Sequence, residues 1–450
     1  MKIPLSPPDS ERLLEQHLGD IARIATHISP LVVGKYLHWD ELRHRAPPGD
    51  LSSEEWWLAV LLGRQPLLKE LPLLDKSGQP FRFATPEPVL VHLHHLDRDA
   101  AGEIRAPAAA PIQESRDRYL LHSLIEEAIS SSQLEGASTT RRVAEDMLRA
   151  GRKPRDTSET MIFNNYRAMA EIRRLKDQPL SPARILELHA LLTEGTLEDP
   201  ADAGRLRISD DVKVVDSRNG QVLHSPPPCQ ELPERLERLC AFANADEFAT
   251  PFVHPVLRAM LLHFMIGYDH PFADGNGRTA RAIFYWSMAR SGYWLTEFLS
   301  ISHFLKKAPA QYGLAYLHVE TGTRDTTYFL LHQLEVMRTA IGALHEYLAK
   351  KTREQQESRG LISSSPYLRS RLNHRQSAIL GHALKNTGEG YRIDSHQKVH
   401  NVVYQTARTD LLDLAELGLL EKSTQGRALV FYAPGNLVER LEKLAGNGGA

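Results

Sequence analysis

Between residues 117 and 345 apolar side chains recur at three- and four-residue intervals, the spacing of a helix that buries one face. YLLHSLIEEAISSSQLEG, TRRVAEDMLRAGR and SETMIFNNYRAMAEIRRL each carry this period and predict three successive helices. The rhythm breaks at LEDPADAGRLR. KVVDSRNGQVLHSPPP then offers two short β-prone runs flanking Asn219-Gly220, the turn chemistry of a hairpin. Helical spacing resumes across 235–345. From about residue 370 the pieces are shorter: NHRQSAILGHALKN reads as a helix, YRIDSHQKVHN as a short strand and helix, and QTARTDLLDLAELGLL as a third helix closed by Gly418. EKSTQGRALVFY follows as a hairpin with Gly426 at its tip, an order that suggests a winged helix-turn-helix over 365–435.

Residues 1–115 are rich in proline and tryptophan. SSEEWWLAVLLGR predicts a helix there, with Ser52 or Ser53 as the N-cap ahead of Glu54 and Glu55. APAAAPI, residues 106–112, reads as a linker because proline cannot sit inside a helix. The expectation is a mainly α protein in three parts: 1–115, a helical core over 116–350, and 365–435.

Composition narrows the setting. The 450 residues, 42% apolar, suffice for more than one core, and a formal net charge of −2 gives no global pull toward nucleic acid or anionic membrane. The two cysteines, Cys229 and Cys240, fit no zinc or CxxC spacing and point to reduced thiols in a cytoplasmic setting. VLRAMLLHFMIGY is too short and interrupted to span a bilayer, and the N-terminus lacks the apolar run of a signal peptide. His92, His94 and His95 have no cysteine or ordered carboxylates beside them and read as structural.

The densest chemistry is HPFADGNGRTAR, residues 270–281, a loop between two helical segments. Gly275 and Gly277 allow unusual backbone angles and remove bulk, so that amide N–H groups at a helix start form an anion-binding nest. Arg278 and Arg281, three residues apart, are expected on one side of the helix. Asp274 supplies hard oxygens suited to Mg²⁺, and His270 can accept a hydroxyl proton at neutral pH. Together these parts describe transfer of a phosphate-linked group from a nucleotide to an alcohol. Neither GxxxxGK[ST] nor a strand-linked GxGxxG is present.

HPFADGNGRTAR resembles the signature of Fic-domain proteins, HxFx(D/E)GNGRxxR, at every specified position. The resemblance implies a helical bundle with a β-hairpin flap and transfer of AMP from ATP, with Mg²⁺, to a serine, threonine or tyrosine of a target protein. By that pattern His270 is the base, Phe272 anchors the loop and Asp274 holds the metal. Gly275, Asn276 and Gly277 cradle the phosphates, and Arg278 and Arg281 grip the outer ones. The intact Gly277 favours AMP over phosphate transfer.

Ser131 and Glu135 share a helix face, ahead of Gly136. SxxxEG resembles the inhibitory helix of the subclass whose brake precedes the core, here about 119–136, its glutamate pairing with Arg281. The same resemblance places a target-docking flap at Lys213–Val222, including Lys213, Val214, Val215 and Asp216, and an adenine-pocket tyrosine at Tyr312. The family's usual asparagine beyond that tyrosine is replaced here by Glu320 or Thr321.

The expected function is protein adenylylation restrained by Glu135. The alternatives are a hydrolase that removes AMP and a DNA-binding regulator with a Fic core used as a sensor. Expected partners are a protein with a modifiable hydroxyl and DNA, through Gln405, Thr406, Arg408 and Arg427; self-modification and a homodimer stay open, and no membrane is expected.

Overall fold

The computed structural model of this chain describes residues 2–101, 114–216, 218–246, 248–364, 366–384, 386, 388–425 and 428–447. Helices dominate it, and the strands are few and short. The described residues of 1–106 and 116–343 form one compact unit; those of 344–450 belong to a second.

In the first unit, helix α1 (Ser53–Arg64) opens with a reciprocal cap. Ser52 Oγ accepts from the Glu55 N–H, and the Glu55 carboxylate accepts from the Ser52 N–H. A hairpin absent from the sequence reading follows: β1 (Lys69–Leu74) pairs antiparallel with β2 (Pro80–Phe83). Asp75 makes its turn by accepting from the N–H groups of Ser77 and Gln79. Arg64, 2% exposed, ends α1 and donates to the carbonyls of Pro30 and Leu37 and to the Tyr328 hydroxyl. Arg82 of β2 exchanges main-chain hydrogen bonds with Arg324 and Thr326. The N-terminal segment is thus keyed by buried polar contacts to residues near 325.

The helices expected from periodicity form as α2 (Glu114–Leu134), α3 (Thr157–Leu175) and α4 (Pro182–Thr193), besides a short helix at Arg141–Ala150. Asp156 and Ser181 cap α3 and α4. The hairpin turns where Asn219-Gly220 placed it: β3 (Val214–Val215) pairs with β4 (Val222–His224), Val215 opposite Val222, with Gly220 at φ +69°. Next come α5 (Leu232–Asn244), α6 (Pro255–Asp269) and α7 (Asn276–Arg290). Nearly every side chain of α6 and α7 is buried, polar ones included. A helix without a solvated face belongs at the centre. Accordingly α6 and α7 pack on each other, α5 lies against α6, and α3 and α4 lie against α7. Helix α8 (Pro309–Thr321) and the part of α9 (Thr327–Ser364) up to residue 343 complete the series of this unit. The short HPFADG connection between the central helices therefore sits at one end of a rigid bundle.

The second unit holds α10 (His374–Ala383), β5 (Gly390–Arg392), α11 (Ile393–His400), α12 (Tyr404–Glu416), β6 (Glu421–Gln425) and β7 (Ala428–Tyr432). The hairpin strands gain β5 as a third, in the order β5-β7-β6, all antiparallel. Leu380, Leu411, Leu414 and Phe431 centre its core. Asp410 of α12 points inward, accepting from Arg375 at 2.7 and 2.9 Å, Asn373 at 2.8 Å and His396 at 3.0 Å. Gly426, Arg427 and the 106–112 linker lie outside the described residues.

Burial alone would raise the Asp410 pKa, but hydrogen bonds from Arg375, His396 and Asn373 outweigh it and hold the carboxyl at about 2. Asp410→Ala is expected to lower the stability of this unit by about 3 kcal/mol, because it strands the Arg375 guanidinium and the Asn373 and His396 side chains around an emptied carboxylate site. A folded pKa below the unfolded value of about 3.9 stabilises above that value, and the gain fades as pH falls toward 2. Thermal unfolding should therefore show a gap between wild type and variant at pH 7 that narrows below pH 4. An equal gap at both pH values would refute the charge-based account.

Candidate functional site

Helix α6 closes on His270, whose N–H reaches the Ile266 carbonyl while its own backbone adopts φ +46°. The turn brings Nδ1 to 3.1 Å from the Gly267 carbonyl. A carbonyl only accepts, so Nδ1 carries the proton and Nε2 presents a bare lone pair. Burial holds the imidazole below its ordinary pKa, and the neutral ring is the form present at pH 7. Arg207 fixes the turn from outside: its Nε donates to the His270 carbonyl and its N–H to the Pro271 carbonyl.

Phe272 is fully buried and stacks on His189 at 3.7 Å between centroids. Asn276 clasps the loop, Oδ1 accepting from the Phe272 N–H and Nδ2 donating to the Phe272 carbonyl. Its side chain is committed to the loop, and its main chain is what it offers the expected nest. His189 accepts from the Gly204 N–H at Nδ1, and its Nε2–H donates to the Asp274 carbonyl. Gly275, at φ +83°, is the N-cap of α7, and a Cβ there would stand 2.6 Å from Thr193 Cγ2. Glycine is required at that position by both angle and space.

The two arginines have different partners. Arg278, 1% exposed, donates to the Leu192 carbonyl at 3.1 Å and to Asp274 at 3.2 Å. Its Nε is buried without a partner. Arg281, 2% exposed, turns to α2: Nε donates to Ser131 Oγ at 2.8 Å, and Nη2 donates to the Ser131 carbonyl at 3.0 Å and to Glu135 Oε1 at 2.8 Å. Burial opposes the Arg281 charge, and the facing Glu135 carboxylate outweighs it. The same Oε1 lies 2.1 Å from where a Cβ on Gly277 would stand, so a carboxylate covers the start of α7. Gly136, at φ +97°, ends this stretch.

Residues that sequence reasoning passed over hold these parts in place. Glu127, two turns before Glu135 on α2, is buried and accepts from both Ser300 Oγ and the N–H and Oγ of Ser302. The i, i+4, i+8 series Glu127, Ser131, Glu135 was the available signal. His224, at the end of β4, sits 2.7 Å from both the Tyr268 carbonyl and Glu320, and so ties the hairpin base to the end of α6. Glu320 is thereby engaged, and Thr321 bonds back to the Leu317 carbonyl. Lys213, Val214, Val215 and Asp216 lie along the first strand and turn of the hairpin; Asp216 binds Arg218. The Tyr312 hydroxyl faces inward, 2.7 Å from His263 Nε2. In the second unit Gln405 and Arg408 are exposed on α12, and Thr406 is half-buried.

A bare imidazole nitrogen, a glycine-lined helix start and a buried guanidinium on a carboxylate together match one known pattern. Residues 179–288 match the profile of the Fic/DOC family. This chain carries a Fic domain. Protein adenylyltransferase Fic of Drosophila erecta is 26% identical over 205 residues, 45% of this chain and 39% of that protein. Protein adenylyltransferase fic-1 of Caenorhabditis elegans is 27% identical over 234 residues, 52% of this chain and 43% of that protein. The chain thus spans about two fifths of the length of these relatives. A crystal structure of a Fic family protein from Desulfovibrio desulfuricans G20 superposes with a TM-score of 0.51 at 17% identity, covering 78% of this chain and 96% of that one. That likeness supports the mainly helical fold of the Fic domain and its surroundings. Among the described residues no helix is long and apolar enough to cross a membrane.

Glu127→Ala should leave the Ser300 and Ser302 donors buried and unpaired, costing about 1–3 kcal/mol. Amide hydrogen exchange across residues 123–136 should quicken in the variant, while α7 keeps its protection. Unchanged exchange in α2 would show that Glu127 does not anchor it.

Proposed function

We propose that this Fic-domain chain is a protein adenylyltransferase that moves AMP from ATP to a hydroxyl of a target protein, and that Glu135 restrains it. The observation that carries the reading is the position of the Glu135 carboxylate, bound to Arg281 and seated over Gly277. The loop and guanidinium are built to hold an anionic oxygen, and in this structure they hold one from the chain itself. A terminal phosphate of ATP needs the same guanidinium, and two anions cannot share it at close range.

With Glu135 displaced, the N–H groups at the start of α7 would receive the phosphates. His270 Nε2 would take the proton of the target hydroxyl as its oxygen attacks the α-phosphorus; the P–O bond to pyrophosphate breaks, and pyrophosphate leaves. Asp274, largely exposed although its oxygens accept from the Gly275 N–H and from Arg278, is a hard carboxylate that fits a Mg²⁺ held by one carboxylate together with nucleotide phosphates. That ion would neutralise phosphate charge. The half-exposed Val215 and Val222 on the hairpin suit an added strand from the target. The names of the relatives, protein adenylyltransferases, support the same chemistry.

For the second unit we propose a winged helix that holds DNA. Of the helix's acidic residues Asp410 is turned inward, Asp413 and Glu416 are exposed toward its far end, and Gln405 and Arg408 are exposed at its start.

Incubation with ATP labelled on its α-phosphate tests the first reading. Glu135→Gly should raise protein labelling about tenfold or more, equivalent to at least about 1.4 kcal/mol. Arg281→Ala should not, since Arg281 is also needed for ATP. Adding His270→Ala to the Glu135→Gly chain should abolish labelling with ATP affinity kept within about twofold, because the base acts on the incoming hydroxyl. Adding Asp274→Ala instead should weaken Mg²⁺-dependent ATP binding. Equal labelling by wild type and Glu135→Gly would end the restraint hypothesis.

The DNA reading predicts retention on duplex DNA at low salt, with a log–log salt slope near −0.9 for each phosphate neutralised, hence shallow for two or three contacts. Absence of binding at low salt would assign the unit to protein recognition instead.

A further inference from the structure

Arg207 precedes the hairpin of β3 and β4 in the chain, and its side chain is 2% exposed. Its main-chain N–H donates to the Pro271 carbonyl at 2.9 Å, and its Nε donates to the His270 carbonyl at 3.0 Å. In the segment leading into β3, Nη1 donates to the Ser209 carbonyl at 2.9 Å and to Asp210 Oδ1 at 2.8 Å. Nη2 donates to the Pro227 carbonyl, in the segment that follows β4. Asp210 Oδ1 joins entry to exit by also accepting from the Cys229 N–H at 2.7 Å.

One buried guanidinium thus holds three stretches of backbone: the turn that carries the base, the entry to the hairpin and its exit. Most of the acceptors are neutral carbonyls, so what the group supplies is direction as much as charge. Its N–H bonds lie in one plane at fixed angles, and acceptors gathered round it cannot shift independently. His224 adds a second tie from the other strand, with Nε2 2.7 Å from the carbonyl of Tyr268, two residues before His270.

We infer that Arg207, with Asp210, positions the acceptor: it fixes the docking hairpin against the base turn, so that a segment added to the hairpin brings its hydroxyl to His270 Nε2. The inference rests on the adenylyltransferase reading and on the hairpin as docking surface. Strand addition places a peptide only relative to the hairpin's own backbone. Something must then relate that backbone to the base, because about 1 Å of misplacement can cost about a hundredfold in rate. Delivery of the hydroxyl depends on this guanidinium, and the seating of ATP does not.

The Asp210 side chain is 59% exposed, so its removal spares the core. The parent is the full-length Glu135→Gly chain, incubated with a cell extract and ATP labelled on its α-phosphate. Adding Asp210→Ala should lower protein labelling about tenfold or more, while ATP affinity, titrated calorimetrically with Mg²⁺, stays within about twofold. Amide hydrogen exchange should quicken across β3 and β4 and stay unchanged in α7. Asp210→Asn, which keeps an Oδ1 acceptor, should restore most of the labelling. Arg207→Lys, which keeps the charge and loses the planar fork, should lower labelling at least as far as Asp210→Ala. A fall in ATP affinity that matches the fall in labelling would make these residues general supports of the site and overturn the proposal. A parent that labels no protein sinks the transferase reading together with this one; a labelling parent whose Asp210→Ala variant labels equally well sinks this proposal alone.

Discussion

A guanidinium that is 2% exposed and a carboxylate beside it organise this end of the Fic domain. Arg281 cannot lose its charge, and removing one partner from a buried ion pair is far costlier than the pair's net contribution. Some anion must therefore face Arg281 in every stable state of the site. In the structure that anion comes from Glu135, just past the end of α2, and Ser131 of α2 adds a hydroxyl and a carbonyl to the same guanidinium. Any ligand that takes the place of Glu135 must bring comparable charge. A phosphate chain meets that demand; a neutral ligand does not.

The strength of the arrangement lies in its supports. The loop from His270 to Gly275 hangs between two helices buried on all sides, and its contacts to Phe272, Asn276, His189, Thr193 and Arg207 leave it little freedom. Preorganised dipoles and donors need no rearrangement when charge arrives, which is the usual source of electrostatic help in catalysis. Helix α2 has a packed apolar face of its own, through Ile125, Ala128 and Ile129, but it touches the site through polar contacts, from Glu127 to Ser302 and from Ser131 and Glu135 to Arg281. The polar contacts to Arg281 can be exchanged for contacts with a ligand without undoing that apolar face.

The inward course of Asp410 makes a parallel point in the second unit. Its position turns its charge into the internal counter-ion of Arg375, with His396 hydrogen-bonded to the same carboxylate. Arg64 does likewise near the N-terminus, where a cation in a tryptophan-rich helix serves as a buried tie between segments far apart in sequence. In both cases the effect of a charge depends on the partners that tertiary packing supplies.

Much of this was legible in the sequence, because it is local. Helical spacing over 117–345, the Asn219-Gly220 turn, the Ser52 cap and the twelve residues from His270 to Arg281 each act within a few residues of themselves, so pattern and steric preference are enough to reveal them. The contacts decided by tertiary structure join distant positions: Glu127 to Ser300 and Ser302, His224 to Glu320, His263 to Tyr312, Arg64 to Tyr328. The hairpin at Lys69–Phe83 escaped the sequence reading, and its second strand finds further partners more than two hundred positions away, at Arg324 and Thr326. Residue order specifies which groups are available and how each helix presents them; only the packed chain determines which charge meets which counter-charge, because that depends on distances that chain order does not contain.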